Sequence, residues 1–313
     1  MNRRVLVTGG TGFIGSRVLN CLLNSGDIPI VIKRNVSDKW RIKKLLDNLV
    51  FYNLDELSLE SIFENERIDA VINLATYYKK NNSYEDVEKM IEVNIHFPTL
   101  LLELCKKYEV PLFITAGSYF QYSPNYRMID ENNTTMARDL YAATKSALEK
   151  IMEYYSSNTD VKAVDLLLFT PYGEMDHKEK VIPYIIKQAL SKRPVKLSEG
   201  FQKLSPVYVE DVANAFVKAL DLAKKDIGDN LRINIPAKES YSIREIVTVV
   251  EELLGYHIEA QWGSLGTNRI DQDSDFIVDP KKSENTLGWR EKFDIYEGLR
   301  KTIDYYASEK NED

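Results

Sequence analysis

Histidine is scarce in this chain. The 313 residues contain three, His96, His177 and His257, scattered without metal-ligand spacing, so no zinc centre or other metal site is expected. Cysteine is scarcer still, at two. Cys21 in "LNCLLN" and Cys105 in "LLELCKKY" sit in apolar helical patterns, and are expected as buried thiols in a reducing compartment rather than as a disulfide. No apolar run approaches the roughly 20 residues that span a bilayer. There is no coiled coil, short repeat or low-complexity tract either, and "MNRRVLVTGG" lacks the apolar stretch and small-residue cleavage site of a secretion signal. A soluble, cytoplasmic protein with no membrane partner is therefore expected. Excess positive charge is also missing. The 41 basic and 48 acidic residues give a net charge of -7, which argues against a nucleic-acid partner, because phosphates need a basic face.

What the chain does have is rhythm. Short β-branched runs, "VLVTG" (5–9), "PIVIKR" (29–34), "LVFYNL" (49–54), "DAVINLA" (69–75), "VPLFITA" (110–116) and "AVDLLLF" (163–169), are separated by helical patterns. These include "GSRVLNCLLNSG", which Gly26 can cap, a long one through "MIEVNIHFPTLLLELCKKY", and one over 140–155. Strands apolar throughout and joined by helices indicate an α/β fold, a Rossmann-like doubly wound parallel sheet covered on both faces. Past Pro171 the rhythm changes. A dinucleotide-binding domain over 1–170 and a smaller C-terminal substrate-binding lobe over 171–313 are expected, with segments around 203–235 returning to the first domain.

"TGGTGFIG" follows the first strand and opens a helix. Gly9, Gly12 and Gly15 permit a tight turn, close approach of backbone to a pyrophosphate and close helix–strand packing, and the helix start offers free N–H groups. A dinucleotide with a bare 2′-hydroxyl is usually met by an acid at the end of the second strand. Here that strand ends in Lys33-Arg34-Asn35 with Ser37 beyond. Either this is a solvated basic strand end, or Arg34 pairs with a 2′-phosphate through its planar fork. The charge pattern favours NADP(H). Further on, "DLYAATKSALEK" places Tyr141 and Lys145 four residues apart on one helix face. A lysine ammonium beside a phenol can stabilise the phenolate.

With these motifs in hand, the chain resembles the extended short-chain dehydrogenase/reductase family in its nucleotide-sugar branch. The resemblance rests on "TGGTGFIG", "NLA" (73–75), the helix holding Asn94, "YAATK" (141–145), "TPYG" (170–173) and "SPVYVEDVANAF" (205–216), and it covers essentially the whole chain. It implies that Tyr141 is the acid–base and that Lys145 positions the cofactor ribose. Cofactor contacts are implied from Gly9, Thr11, Gly12, Phe13, Ile14, Gly15, Arg34, Ser37, Asn53, Leu54, Leu74, Ala75, Thr76, Asn94, Tyr141, Lys145, Pro171 and Tyr172. Substrate contacts are implied from Ser118, Tyr119, Lys180 and Val181. Arg232 and Arg269 are candidate pyrophosphate ligands or else surface arginines.

The strand exit "TAGSYFQ" narrows the reaction. The family's usual hydroxyl aligns with Ala116, leaving Ser118 as its replacement, on the same strand face by period-two alternation. Dehydratases of the family carry Thr-Asp-Glu where this chain has Ala116, Gly117 and Ser118, so the acid and base for water elimination are missing. The remaining readings are an NADPH-dependent 4-ketoreductase, a 4-epimerase with retained cofactor, and a catalytically silent NADP-binding protein. Together with "SEGFQKLSPVYVEDV", the pattern is similar to the abequose- and paratose-forming 4-ketoreductases, which act on CDP-4-keto-3,6-dideoxyhexoses in O-antigen deoxysugar synthesis. A nucleotide-sugar substrate is thus expected. By analogy with the family so is a homodimer, formed through the helices over 94–108 and 141–155, whose apolar faces could equally be buried within the monomer.

Overall fold

Each central strand is flanked by turn residues and is apolar along most of its length, so it is stable only when buried on both faces. A computed structural model, which describes residues 2–79, 82–124, 126–225, 231–265 and 276–309, shows that arrangement. The strands β1 (Arg4–Thr8), β2 (Ile28–Lys33), β3 (Val50–Asn53), β4 (Ala70–Asn73), β5 (Leu112–Ser118), β6 (Lys162–Leu168) and β7 (Leu231–Ile235) form one seven-stranded sheet. All pairs are parallel, in the order β7-β6-β5-β4-β1-β2-β3. The winding reverses between β1 and β4, the switch point at which doubly wound sheets open a crevice at their carboxyl ends.

Alternation along the strands feeds two cores. Val5, Val7, Ile72, Leu112, Ile114, Val164 and Leu166 pack under α1 (Phe13–Asn24) and, later in the chain, a helix over Val209–Ala219. Leu6, Ile30, Val71, Phe113 and Ala163 pack on the other face. That face is covered by α2 (Leu59–Asn65), α4 (Phe97–Lys107) and α5 (Leu140–Asn158), while α3 (Tyr84–Ile91) lies beside α5. α1 closes as its sequence suggests: Gly26 adopts φ 76°, and the N–H groups of Gly26 and Asp27 return to the carbonyls of Leu23 and Leu22, both at 3.0 Å. The single helix expected through residues 90–108 is instead interrupted by a π-helical turn over Glu92–His96, which joins α3 to α4. The wider turn brings Asn94 inside, at 1% exposure.

Beyond β6 the helices α6 (Val181–Leu190), α7 (Val209–Ala219), α8 (Ile243–Leu254), α9 (Lys281–Leu287) and α10 (Ile295–Glu309) follow. α6, α8 and α10 enclose a separate core of Ile182, Ile185, Ile186, Ile246, Val250, Leu299 and Ile303. Val207–Tyr208 pairs in parallel with Pro171–Tyr172, α7 lies on the sheet, and β7 extends it beside β6. Both cysteines are unpaired and Cys105 is fully buried. Among the described residues, no helix is long and apolar enough to cross a membrane.

Within that separate core, α10 presses on Tyr172. A Cβ on Gly298 would stand 2.1 Å from the Tyr172 hydroxyl, and that buried hydroxyl has no hydrogen-bond partner among the described residues. Gly298→Ala is therefore expected to lower unfolding free energy in urea by about 1–3 kcal/mol. Tyr172→Phe removes an unsatisfied polar atom and is expected to be neutral or stabilising. A clear destabilisation by Tyr172→Phe would show that its hydroxyl does have a partner.

Candidate active site

Backbone, rather than side chains, forms the first part of the site. Gly9 has φ 66°, and a Cβ there would fall 2.5 Å from the carbonyl carbon of Leu74. A Cβ on Gly15 would fall 2.2 Å from the carbonyl oxygen of Gly9. The Gly12 N–H closes the turn on Gly9 O at 2.9 Å, and as N-cap Gly12 brings no side chain to α1. The opening N–H groups of α1 thus face the crevice uncapped, a cradle for phosphate. Phe13 and Ile14 contribute backbone here, since their side chains pack into the lobe core, with Phe13 only 6% exposed. Thr11 is half-buried on the turn. The loop after β4 is tied to the same place: Ala75 N–H donates to Thr8 Oγ1 at 3.1 Å, and Leu74 N–H to Thr8 O at 3.2 Å.

At the end of β2, Arg34 is exposed, and its N–H donates to Ser37 Oγ at 3.0 Å. Neighbouring β3 supplies what the sequence reading missed. Asp55 accepts the Asn35 N–H at 2.6 Å, so a carboxylate does stand beside this strand end, brought by sheet pairing rather than by sequence proximity. Asn53 spends its amide N–H groups on Asn35 Oδ1 and Glu56, and Leu54 is held by its N–H to Lys33 O at 3.0 Å.

Helix α5, which carries Tyr141 and Lys145, is capped by Asp139, whose Oδ1 accepts the Ala142 N–H at 2.7 Å. One turn inside, Lys145 is 3% exposed, and its Nζ lies 5.6 Å from the centroid of the Tyr141 ring. Tyr78 meets that ring edge-on at 5.0 Å. Burial pushes the Tyr141 phenol up from its ordinary value, opposed by a hydrogen bond with Thr76 and by the charge of Lys180. At neutral pH its resting form is the proton-bearing acid. Burial likewise pushes the Lys145 ammonium down, opposed by Asp165.

Several expected contacts take other roles. Asn94 uses its full amide inside the protein: Oδ1 accepts from Thr76 Oγ1 (3.0 Å) and Tyr77 N–H (2.8 Å). Its Nδ2 donates to Tyr77 O (2.9 Å) and Thr144 Oγ1 (3.1 Å), so Asn94 braces the 76–77 loop against α5 and has no group left for a cofactor. Tyr172 is 1% exposed and stacks edge-on against Tyr208, so it is lobe core rather than a nicotinamide contact. Pro171 remains at the rim, after Thr170, which is held at φ 33°, an unusual conformation for a β-branched residue. Arg232 is not presented to a pyrophosphate, because its Nε donates to Glu149 Oε1 at 2.7 Å and its guanidinium is ion-paired with the same carboxylate. Arg269 lies outside the described residues.

Ser118 ends β5, so the strand does run as far as the alternation argument needs. Its Oγ accepts the Phe120 N–H at 3.3 Å and its N–H donates to Gln121 Oε1 at 2.8 Å, which leaves the hydroxyl proton available to a ligand. Ala116 packs against the α1–α7 core. Tyr119 stacks on Phe169 at 5.3 Å, with the Arg138 guanidinium 5.6 Å from its ring, a cation that sequence reading passed over. Lys180 caps the start of α6, where Val181 follows, with its Nζ 5.2 Å from the Phe13 ring and 3.0 Å from Asp176 Oδ1.

Residues 5–235 match the model of the "NAD dependent epimerase/dehydratase family". Among characterised relatives, a CDP-abequose synthase of Yersinia pseudotuberculosis is 30% identical over 283 residues, covering 89% of this chain and 92% of its own length. A second CDP-abequose synthase, from Salmonella muenchen, is 24% identical over 97% of this chain and 98% of its own. The structure of a UDP-glucose 4-epimerase from Thermotoga maritima with UDP-glucose superposes with a TM-score of 0.87 at 27% identity, covering 98% of this chain and 99% of that one.

The glycine turn gives the site its first test. Gly15→Ala must push the Gly9 carbonyl out of place, at about 1–3 kcal/mol of overpacking, or a 5- to 150-fold rise in dissociation constant. Titration of NADPH or NADH fluorescence should show that loss, alongside a lowered midpoint of urea unfolding from the same overpacking. Unchanged affinity would place the dinucleotide elsewhere.

Proposed function

Because the chain belongs to the NAD dependent epimerase/dehydratase family, we propose that it is an NADPH-dependent reductase of the C4 ketone of a nucleotide-linked 4-keto-deoxysugar, a CDP-4-keto-3,6-dideoxyhexose being the substrate class favoured. The observation that carries this reading is the pairing of Tyr141 and Lys145 with a β5 exit of Ala116-Gly117-Ser118 that holds no carboxylate. Elimination of water needs an acid and a base at that exit; reduction needs only one proton donor and one hydrogen-bond donor at the ketone. Two CDP-abequose synthases among the relatives support the substrate class.

The glycine turn and the uncapped start of α1 fit a dinucleotide, and when bound the reduced nicotinamide supplies the hydride. The rest falls to the chain's own residues. Tyr141, resting as a neutral phenol, gives its proton to the sugar oxygen as charge develops there. Ser118 donates its free hydroxyl proton to the same oxygen. Lys145, whose Nζ carries three N–H donors and lies 5.6 Å from the Tyr141 ring centroid, orients the ribose and stabilises the tyrosinate left behind. Arg34, exposed at the end of β2, is the residue suited to a 2′-phosphate, and the Ser37 hydroxyl beside it keeps a proton to donate.

A 4-epimerase with retained cofactor is the alternative, favoured by the fold likeness to the Thermotoga maritima enzyme. The two readings separate in a spectrophotometric assay over CDP-, dTDP-, GDP- and UDP-linked 4-keto sugars, with products identified by NMR. The reductase consumes NADPH stoichiometrically; interconversion of UDP-glucose and UDP-galactose without net cofactor change would overturn it. Within that assay, Ser118→Ala is expected to lower kcat about 100-fold, the effect of losing one oxyanion donor, while NADPH affinity stays unchanged. Arg34→Ala is expected to weaken NADPH about 10- to 100-fold, and NADH hardly at all. Equal loss for both cofactors would rule out Arg34 as the phosphate ligand.

A further inference from the structure

Beneath the Tyr141–Lys145 pair lies a carboxylate that the reaction just described does not use. Asp165 sits in the middle of β6, 2% exposed, where its neighbours Val164 and Leu166 point to the α1–α7 core. By alternation its side chain points the other way, to the sheet face that α5 covers and where Lys145 is also buried. β5 makes room for it at one position: a Cβ on Gly117 would lie 2.6 Å from Asp165 Oδ1 and 2.8 Å from Oδ2. Glycine here is therefore more than a missing acid at a strand exit; its bare backbone is the wall of a cradle for this carboxylate. An aspartate in a strand whose other buried residues are aliphatic is costly unless something repays it, and among the described residues Oδ1 has no hydrogen-bond partner.

The titratable groups facing Asp165 come from two elements. α5 contributes Tyr141, Lys145 and Glu149, β7 contributes Arg232, and the turn after β5 adds only the neutral amide of Gln121, which is fully buried. Glu149 and Arg232 are already joined, and Glu149 also takes the Gln121 Nε2–H at 3.4 Å. With that pair set aside, one cation and one anion remain, Lys145 and Asp165. No hydrogen bond joins them, so the ammonium keeps its donors for a ribose while the carboxylate supplies charge from below.

We propose that Asp165 is the counter-ion of Lys145: a positioning residue that keeps the buried lysine an ammonium and directs it under the Tyr141 ring. Without the carboxylate, desolvation acts on Lys145 unopposed. The lysine then loses its proton at lower pH, and with it the charge that stabilises the tyrosinate. The inference rests on Tyr141 and Lys145 being the acid–base pair, but its primary test needs neither substrate nor cofactor.

That test is 13C NMR of the full-length protein labelled at lysine Cε and at aspartate carboxyls, with Lys145 assigned by Lys145→Met. Asp165→Asn, which keeps the shape of the side chain, is expected to lower the Lys145 titration midpoint by about one unit or more, as removal of a nearby opposite charge should. The alkaline fall of the pH–rate profile for ketone reduction should move down by the same amount, a displacement that loss of packing alone would not produce. An unmoved Lys145 midpoint in Asp165→Asn overturns the proposal. Should that variant fail to fold, the wild-type protein decides: Lys145 and Asp165 must report a shared, mutually perturbed titration, and two independent ones overturn it. A shifted midpoint in a protein that reduces no keto sugar sinks the reductase reading and leaves Asp165 in its role.

Discussion

The site hangs from one buried polar row. Thr8, Asn73, Thr115 and Asp165 lie in register across β1, β4, β5 and β6, and all four are at most 2% exposed. Thr8 donates to Asn73 Oδ1 at 2.7 Å, Asn73 Nδ2 to Thr115 Oγ1 at 3.3 Å, and Thr115 Oγ1 to the Asn73 carbonyl at 3.2 Å. Buried polar side chains are tolerated only when they satisfy one another. A one-residue slip of any strand would turn these groups into the apolar core on the opposite face, so the row locks register at the carboxyl rim. It also sets where the loops begin. Thr8 fixes Ala75, the 74–75 backbone sits where a Gly9 side chain would be, and the Gly9 carbonyl occupies the space that Gly15 leaves open. The phosphate cradle is a consequence of the row rather than a free-standing loop.

The sheet was legible in the sequence because its signal is local. A strand buried on both faces must be apolar along its length, a phosphate-binding turn must be glycine where backbones touch, and a helical spacing of four must put Tyr141 and Lys145 together. Partnership across strands was not legible. Asn94 looked like a cofactor contact, yet a π-helical turn points it inward, where four protein groups consume its amide. Arg232 looked available to phosphate until strand pairing set it beside Glu149. Tyr172 was read as a nicotinamide neighbour, but α10, more than 120 residues later, buries it. Asp55 and Asp165 drew no notice because neither stands near the motif it serves along the chain. In each case the missing information was which distant segment arrives alongside.

The distribution of charge gives a physical reason for the placement of Asp165. Several features at the crevice are positive: the uncapped start of α1, Arg34 at the rim, Lys145 under the tyrosine and Lys180 at the start of α6, with Asp55 beside the end of β2 as an exception. A nucleotide sugar and a dinucleotide each bring a pyrophosphate, so carboxylates on the crevice wall would oppose both ligands. Lys145 nevertheless needs compensation, since a buried ammonium without it tends to shed its proton. Here the compensating acids lie behind the wall. Asp176, whose side chain is 1% exposed, holds Lys180 at 3.0 Å, and Asp165 faces Lys145 from within the sheet. Burial raises both carboxyls from their ordinary range while the adjacent lysine draws them back. At Asp165 the carboxyl of Glu149 pushes the same way as burial. Each acid can therefore offset a positive charge without presenting a negative one to the ligand. In an enzyme that loses water from its substrate, by contrast, a carboxylate must reach the sugar itself and stand at the β5 exit. Gly117 in this chain does the reverse: it brings no side chain to the exit and makes room for a buried acid that faces Lys145.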